Sequence, residues 1–414
     1  MQELLARGVA AAPVDKGLGF ALTITRGGSG ILAGPWMLRI PGAPKPLQLL
    51  FEGVKLESGT LEAVARIRNV SGAFAGGLRL DLLEISEGVP VPDGAPSRVT
   101  GPGKSRPLAL DSPLYFGDVA AGDDAAVPVR VGPLGLTPGS PFAVVRGIAT
   151  GAVAAGTVEI ADASVPVALD SDGEGRVYVG DSGGQAIFRL GPEAASQRKI
   201  PAGCVVTGVA VRKKTGELYA SCSDTTSLLR LPMNGKLTRT EEIGRALGPI
   251  RFGGKGFLYG SYGSPSQTLV RLEGLSIKEE IAVAVGQPLH AAGFDVDPDG
   301  TIWAVTAAPE GKLLRIRSAK DIFAAAGPGN GLGAITSPRT CRVGPDGGIY
   351  VLESGTQDRP PRVDVFDRSG NLLRGWSLPA GDPADLAFGT EGRLLVLSRR
   401  ESPRGTTVTI FRLF

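Results

Sequence analysis

The chain has 414 residues, enough for two domains, and 42 % of them are hydrophobic, enough to fill large cores. Its 44 basic and 41 acidic side chains leave a net charge of only +3, and no stripe of lysine and arginine interleaves with aromatics, which excludes a nucleic-acid-binding footprint. Glycine (61) and proline (32) are abundant without a collagen period, so they mark tight turns between short strands and place the chain in the all-β class.

Residues 1–18 form a tail. Its start, MQELLARGVA, sets Met1, Leu4, Leu5 and Val9 at helical spacing, which predicts a short helix that must dock to persist. The tail lacks a basic region followed by an apolar run, and no run approaches the roughly 18 apolar residues of a membrane span. Neither a Sec signal nor a transmembrane segment is expected, which places the chain in the cytoplasm by default or in a larger exported particle.

Residues 19–151 carry eight β-like runs, among them FALTITR, LQLLFEGVKL, LEAVARIRNV, LRLDLLEI and AVPVRVG. Their irregular spacing predicts an immunoglobulin-like β-sandwich without the Cys-Trp-Cys core of antibody domains, with a second barrel or jelly roll as the alternative.

Residues 157–414 read as a repeat. An apolar strand, a tight glycine turn and a second apolar strand recur six times, as in VPVALDSDGEGRVYVGD (165–181), AGFDVDPDGTIWAV (292–305) and RTCRVGPDGGIYVLE (339–353). A third strand follows each (AIFRL, SLLRL, TLVRL, KLLRI, RVDVF, VTIFRL), at a period of roughly 40–46 residues. Such a four-stranded unit cannot bury both faces alone, whereas a closed ring of six can, and this predicts a six-bladed β-propeller. The sixth repeat stops at its third strand, so Thr157–Ile160 is expected to supply the missing outer strand and leave no open edge.

Three cysteines, Cys204, Cys222 and Cys341, show no metal-type spacing. Cys204 and Cys222 could pair, but a sparse, odd set argues for buried free thiols. DVDPDG (295–300) lacks the closing glutamate of a calcium loop and repeats the hairpin turn of the other units.

The strings RVYVGDSGGQAIFRL (176–190) and GPDGGIYVLESG (344–355) resemble NHL repeats and the related lactonase and streptogramin-lyase propellers, although the Asn-His-Leu triplet itself is absent. The resemblance implies the fold and leaves both enzymes and binding modules open. Lactonase-type relatives use a glutamate, asparagines and an aspartate around a divalent cation, and lyase-type relatives use histidines and glutamates around Mg²⁺. By that pattern the candidate pair here is Glu353, ending the second strand of the fifth repeat, with His290, the single histidine. The lyase pattern asks for at least two histidines, and the four asparagines stand away from the inner strands.

The six loops between second and third strands gather on one rim as a binding platform, with Tyr262, Glu353, Arg359, Arg399 and Arg400 as anchors. The resulting expectation is a non-catalytic binding or structural scaffold engaging a protein or glycan partner, as part of an assembly or a homo-oligomer, with no cofactor. The alternatives are a metal-dependent lactonase- or lyase-type enzyme, and a surface adhesin or tail-fibre-like subunit.

Overall fold

The computed structural model describes residues 13–14, 17–25, 31–38, 45–57, 60–87, 106–107, 114–132, 142–192, 196–232, 236–263, 268–274, 276–282, 291–318, 320–329, 333–357, 359–379, 381–401 and 404–413. The helix expected over residues 1–10 lies outside them. Two compact units divide the chain, one running to Ala155 and the other spanning Gly156–Phe411. Both are built from β-strands, as the composition demands.

In the first unit, Ile31–Leu38, Leu47–Glu57, Thr60–Arg68 and Asp124–Val131 make a four-stranded sheet. A second sheet contains Gly17–Thr25, Ala75–Glu87, Leu114–Val119 and the first part of Phe142–Ile160. One core joins them: Leu49, Phe51, Leu61 and Ile67 of the first meet Leu78, Leu80, Phe116 and Val145 of the second. Alternation explains this. Thr60–Arg68 buries Leu61, Ala63, Ala65 and Ile67 and turns the residues between them outward. The unit is thus a two-sheet sandwich.

The second unit is a six-bladed propeller. Blades one to five are four-stranded antiparallel sheets whose strands follow chain order, beginning at Pro166–Ser171, Val206–Arg212, Ile250–Phe252, Ala291–Val296 and Pro338–Val343. Blade six holds Asp382–Phe388, Leu394–Glu401 and Arg404–Leu413, and the last of these lies beside Phe142–Ile160. Ile160 packs with Val408 and Leu397, and the Thr406 hydroxyl donates to the carbonyl of Ala163 at 3.2 Å.

Each hydrophobic cluster joins two successive blades. Tyr178 and Ile187 of blade one pack with Val209 and Leu229 of blade two, Tyr259 of blade three with Phe294 of blade four, and Trp303 of blade four with Val351 and Phe366 of blade five. Between blades five and six, Trp376 lies 6.0 Å from Phe411 and Tyr350 lies 4.9 Å from Phe388, ring centre to ring centre. Leu169 and Phe188 then meet Ala387 and Leu395, which closes the circle.

The first-to-second-strand turns share one device. The glycine of each turn sits at positive φ, from +66° at Gly392 to +95° at Gly300, a conformation that side-chain-bearing residues resist. A turn aspartate then receives the aromatic of the second strand: Tyr178 Oη bonds Asp172 (3.3 Å), Trp303 Nε1 bonds Asp297 (3.0 Å) and Tyr350 Oη bonds Asp346 (2.8 Å). DVDPDG is such a turn: Asp297 is fully buried and also receives Arg368 at 2.8 Å.

Since Trp376 is 1 % exposed and fills the seam between blades five and six, its replacement by alanine is expected to cost about 3–5 kcal/mol. Urea unfolding followed by the fluorescence of the two remaining tryptophans, Trp36 and Trp303, measures this.

Candidate functional site

The first strand of each blade lines the central channel, and apolar patterning breaks there. Asp170 stands in register with Tyr178, Arg251 with Tyr259, Asp295 with Trp303 and Arg342 with Tyr350, so one charged residue recurs at the same level in blades one, three, four and five. Blade six adds Asp385.

Asp385 is the hub. Its carboxylate accepts two bonds from Arg251 Nη2 (3.2 and 3.0 Å), two from Arg342 Nη2 (3.1 Å each), and the backbone N–H groups of Leu169 and Leu386 (2.8 Å each). Arg251 belongs to blade three and Asp385 to blade six, which stand opposite in a ring of six. The pair therefore crosses the channel. Arg342 also donates to the carbonyls of Leu386 (2.6 Å) and Leu169 (2.9 Å), and Arg251 to those of Ile250 (2.8 Å) and Val209 (3.3 Å). All three side chains are under a tenth exposed. Two atoms of this group, Arg251 Nε and Arg342 Nη1, are buried with no hydrogen-bond partner among the described residues. Burial pushes the Asp385 carboxyl above its ordinary range, and the Arg251 guanidinium pulls it back.

Above this floor opens a recess of about 790 Å³ at the hairpin-turn end of the propeller, within the size range of small-molecule sites. Asp170 and Asp295 line it, with Arg251 and Arg342 below and Lys213, Lys214 and Lys255 at its mouth. Each aspartate also ties its blade to the next, Asp170 accepting Val211 N–H and Asp295 accepting Val343 N–H, both at 2.8 Å. Burial raises both carboxyls. Asp295 is pushed up to about 6, with the Val343 N–H and Arg251 opposing and the charge of Asp170 adding to the rise. A carboxyl that exchanges its proton near neutral pH, in a recess, can serve as general acid or base.

At the opposite end of the strands, Glu353 is fully buried and acts on the chain before its own blade: Thr336 N–H (3.1 Å), Thr336 Oγ1 (2.8 Å) and Ser337 N–H (3.4 Å) all donate to it. Asp181 does the same in blade one, accepting Ser164 N–H (3.1 Å) and Val165 N–H (2.7 Å). The equivalent position in blade two is Cys222, and there the tie is covalent. Cys222 is disulfide-bonded to Cys204, 18 residues earlier, with Cα atoms 6.0 Å apart. The expectation of free thiols is corrected at this pair. The end of the second strand and the loop into its own blade are brought side by side by the repeat itself, a proximity that cysteine counting does not see. Cys341 is the buried free thiol.

The remaining rim candidates stand separately. Tyr262 stacks under Arg245 (4.3 Å) and bonds Glu280 (3.2 Å). Arg359 donates to the carbonyl of Ala334 (3.0 Å) and faces the buried Asp364 at 3.6 Å. That carboxyl is pushed up to about 6 by burial, while Arg362 opposes. Arg399 pairs with Asp382 (3.2 Å), and Arg400 lies 4.0 Å from Glu159. His290 lies outside the described residues.

A divalent cation, which the repeat resemblance implies, needs several converging donors. Among the described residues the one group of three is Cys204, Cys222 and Asp224, and its two sulfurs are bonded to each other. These residues do not fit a cation. No helix among the described residues is long and apolar enough to cross a membrane.

No protein-family model and no curated protein matches the sequence. Similar solved structures include a streptogramin B lyase (13 % identity, TM-score 0.47, 63 % of this chain and 97 % of that one). They also include a virginiamycin B lyase from Staphylococcus aureus (12 %, 0.45, 63 % and 99 %) and a gluconolactonase from Xanthomonas campestris (15 %, 0.47, 63 % and 90 %). The likeness is too slight to carry activity or residue roles across.

Two outcomes follow from the geometry. Replacing Asp385 by alanine leaves two buried guanidiniums without their anion and is expected to cost about 3–5 kcal/mol, whereas exchanging Asp385, Arg251 and Arg342 together for apolar residues of similar volume restores much of the loss. Denaturant melts of the single and triple variants decide this. Thiol titration of the denatured, unreduced chain is expected to find Cys341 alone. Reducing the Cys204–Cys222 bond is expected to remove about 3 kcal/mol of stability, as for a loop of this length.

Proposed function

We propose that this propeller is a small-molecule enzyme whose reaction takes place in the recess at the hairpin-turn end of the channel, with Asp295 as the group that takes up and returns the proton. This keeps the enzyme alternative drawn from the repeats and moves its chemistry from the Glu353–His290 rim to the other end of the strands. The observation that carries it is the juxtaposition of Asp295 and Asp170 in one recess above a floor of Arg251 and Arg342. Burial and a like charge hold one carboxyl ready to exchange a proton, and the guanidiniums below stabilise negative charge that develops on a reacting group. Its Oδ2 accepts the Val343 N–H, which orients the group without using all of its lone pairs.

The scaffold reading is less favoured by the same geometry. Its rim anchors are tied within the chain, Glu353 through Oε2 by the loop before its blade, with Oε1 buried and unpartnered among the described residues, and Arg359 by Ala334 and Asp364. A side chain already committed to its own fold contributes little to capturing a partner.

The test is a screen of the full chain against lactones and activated esters, followed by pH profiles. With Asp295 acting as base, its deprotonated form is the active one, so the rate should rise as pH passes about 6. Asp295→Asn should remove that limb and slow turnover by about a hundredfold or more. If Glu353→Gln abolishes turnover while Asp295→Asn leaves the rate and its pH limb in place, the chemistry belongs to the rim and this reading falls.

A further inference from the structure

Resting on the reading of the recess as the reacting site, we infer that the molecule it takes is a small organic anion bearing a phosphate-like dianionic group, held at the mouth by Lys213, Lys214 and Lys255. The six hairpin turns around this end are not alike. Blades one, four, five and six place acidic residues in them, and three of these are consumed locally. Asp172 binds Arg176 and Tyr178, Asp297 binds Trp303 and Arg368, and Asp346 binds Tyr350. Blade two puts Lys213 and Lys214 in its turn, and blade three puts Lys255.

The three lysines line the recess, are exposed, and make no hydrogen bond or ion pair among the described residues. Two adjacent turns therefore present three exposed cations on one side of the opening, of which Lys213 also acts through space on Asp170. Exposed lysines alone would be an ordinary solvated surface. The floor supplies the second observation. Arg342 is 4 % exposed, and its Nη1 has no acceptor among the described residues, as is also true of Arg251 Nε. Both guanidinium side chains line the recess of about 790 Å³ and share one salt-bridged carboxylate, Asp385, so the floor adds a second source of positive charge beneath the lysines.

The charge balance agrees. Arg251 and Arg342 against Asp385 leave one positive charge, Arg212 at the wall is paired with Glu217 at 3.5 Å, and the lysines add three, against Asp170, Asp295 and Glu273. With all of these groups ionised the recess keeps one net positive charge, and protonation of Asp295, pushed up to about 6 by burial, adds to it as pH falls. A neutral sugar or a cation would gain nothing from this arrangement, whereas a dianion would.

Glycerol phosphate and inorganic phosphate, with glycerol and acetate as matched controls, test this by calorimetry and ³¹P line broadening on the full chain at low and high salt. Expected is saturable binding of glycerol phosphate, weakened by salt, with glycerol not binding and acetate binding at least about tenfold more weakly. The Lys213→Gln, Lys255→Gln double variant should lose at least about tenfold in affinity with an unchanged thermal melt. Phosphate affinity equal in the double variant and the parent, binding of glycerol as tight as that of its phosphate, or no saturable binding below about 10 mM would overturn the inference. Loss of phosphate binding in the lysine variant together with full turnover by Asp295→Asn would leave the anion site standing and remove the proton-transfer reading. Asp295-dependent turnover without phosphate binding would do the reverse.

Discussion

The propeller depends on one carboxylate. Asp385 collects six hydrogen bonds from blades one, three, five and six. An inner strand here has two demands on it. It must offer apolar side chains to the neighbouring blades, and it must fill or line a narrow channel in which open backbone groups would face water. Polar side chains that bridge neighbouring or opposite blades meet the second demand. The Asp385–Arg251 pair spans the ring, while the Asp170–Val211 and Asp295–Val343 bonds join neighbours. A buried ionic group of this kind adds little net stability over an apolar plug. It does fix which blades face each other, because each arginine has a defined set of carbonyl and carboxylate acceptors. It also spans the channel, so Arg251 and Arg342 stand as a charged floor to the recess at the hairpin-turn end.

A position that repeats around the ring need not repeat its residue in order to repeat its job. The end of the second strand holds Asp181 in blade one, Cys222 in blade two and Glu353 in blade five, and each ties down the segment that leads into its own blade. Two do so by accepting backbone N–H groups and one by a disulfide. Read singly, Glu353 looks like a buried carboxylate of catalytic kind and Cys222 like a core thiol. Read together they are three solutions to holding a loop against a strand end. The resemblance of GIYVLESG to lyase repeats therefore marks a place in the architecture and does not by itself assign Glu353 a reaction.

The repeat was readable because each of its marks has a local cause. Glycines such as Gly300 and Gly392 must take positive φ, and the Asp-to-aromatic bond needs Asp172 with Tyr178, or Asp297 with Trp303, at fixed spacing. The candidate site was written in the same strings and passed over. In ALDSDG, PIRFGG, FDVDPDG and CRVGPDG a single charge interrupts an apolar first strand, and Asp170, Arg251, Asp295 and Arg342 are those interruptions. What was not readable is which of them meet. Arg251 and Asp385 are separated by 134 residues, and only closure of the ring brings them within hydrogen-bond reach. The Cys204–Cys222 bond was hidden for a related reason: its partners are joined by the blade's geometry and follow no spacing rule known for cysteines.

The two ends of the propeller also differ in what their charges are free to do. At the loop rim Glu353 accepts the Thr336 and Ser337 donors through Oε2 while its Oε1 is buried without a partner among the described residues, and Arg359 donates to the carbonyl of Ala334 and faces Asp364. At the hairpin-turn end Asp172, Asp297 and Asp346 of blades one, four and five hold side chains of their own neighbourhood, whereas the lysines of blades two and three make no hydrogen bond or ion pair among the described residues. Between them Asp295 is desolvated and sits beside a like charge, while Asp385 has drawn the nearest guanidiniums toward the floor. The hub thus has two effects with one cause. By engaging Arg251 and Arg342 it bridges the channel, and by holding their hydrogen bonds it leaves Asp295, whose carboxyl burial pushes up to about 6, without an ion pair to them. Chemistry is more readily placed where the fold leaves a charge unspent than where a motif matches.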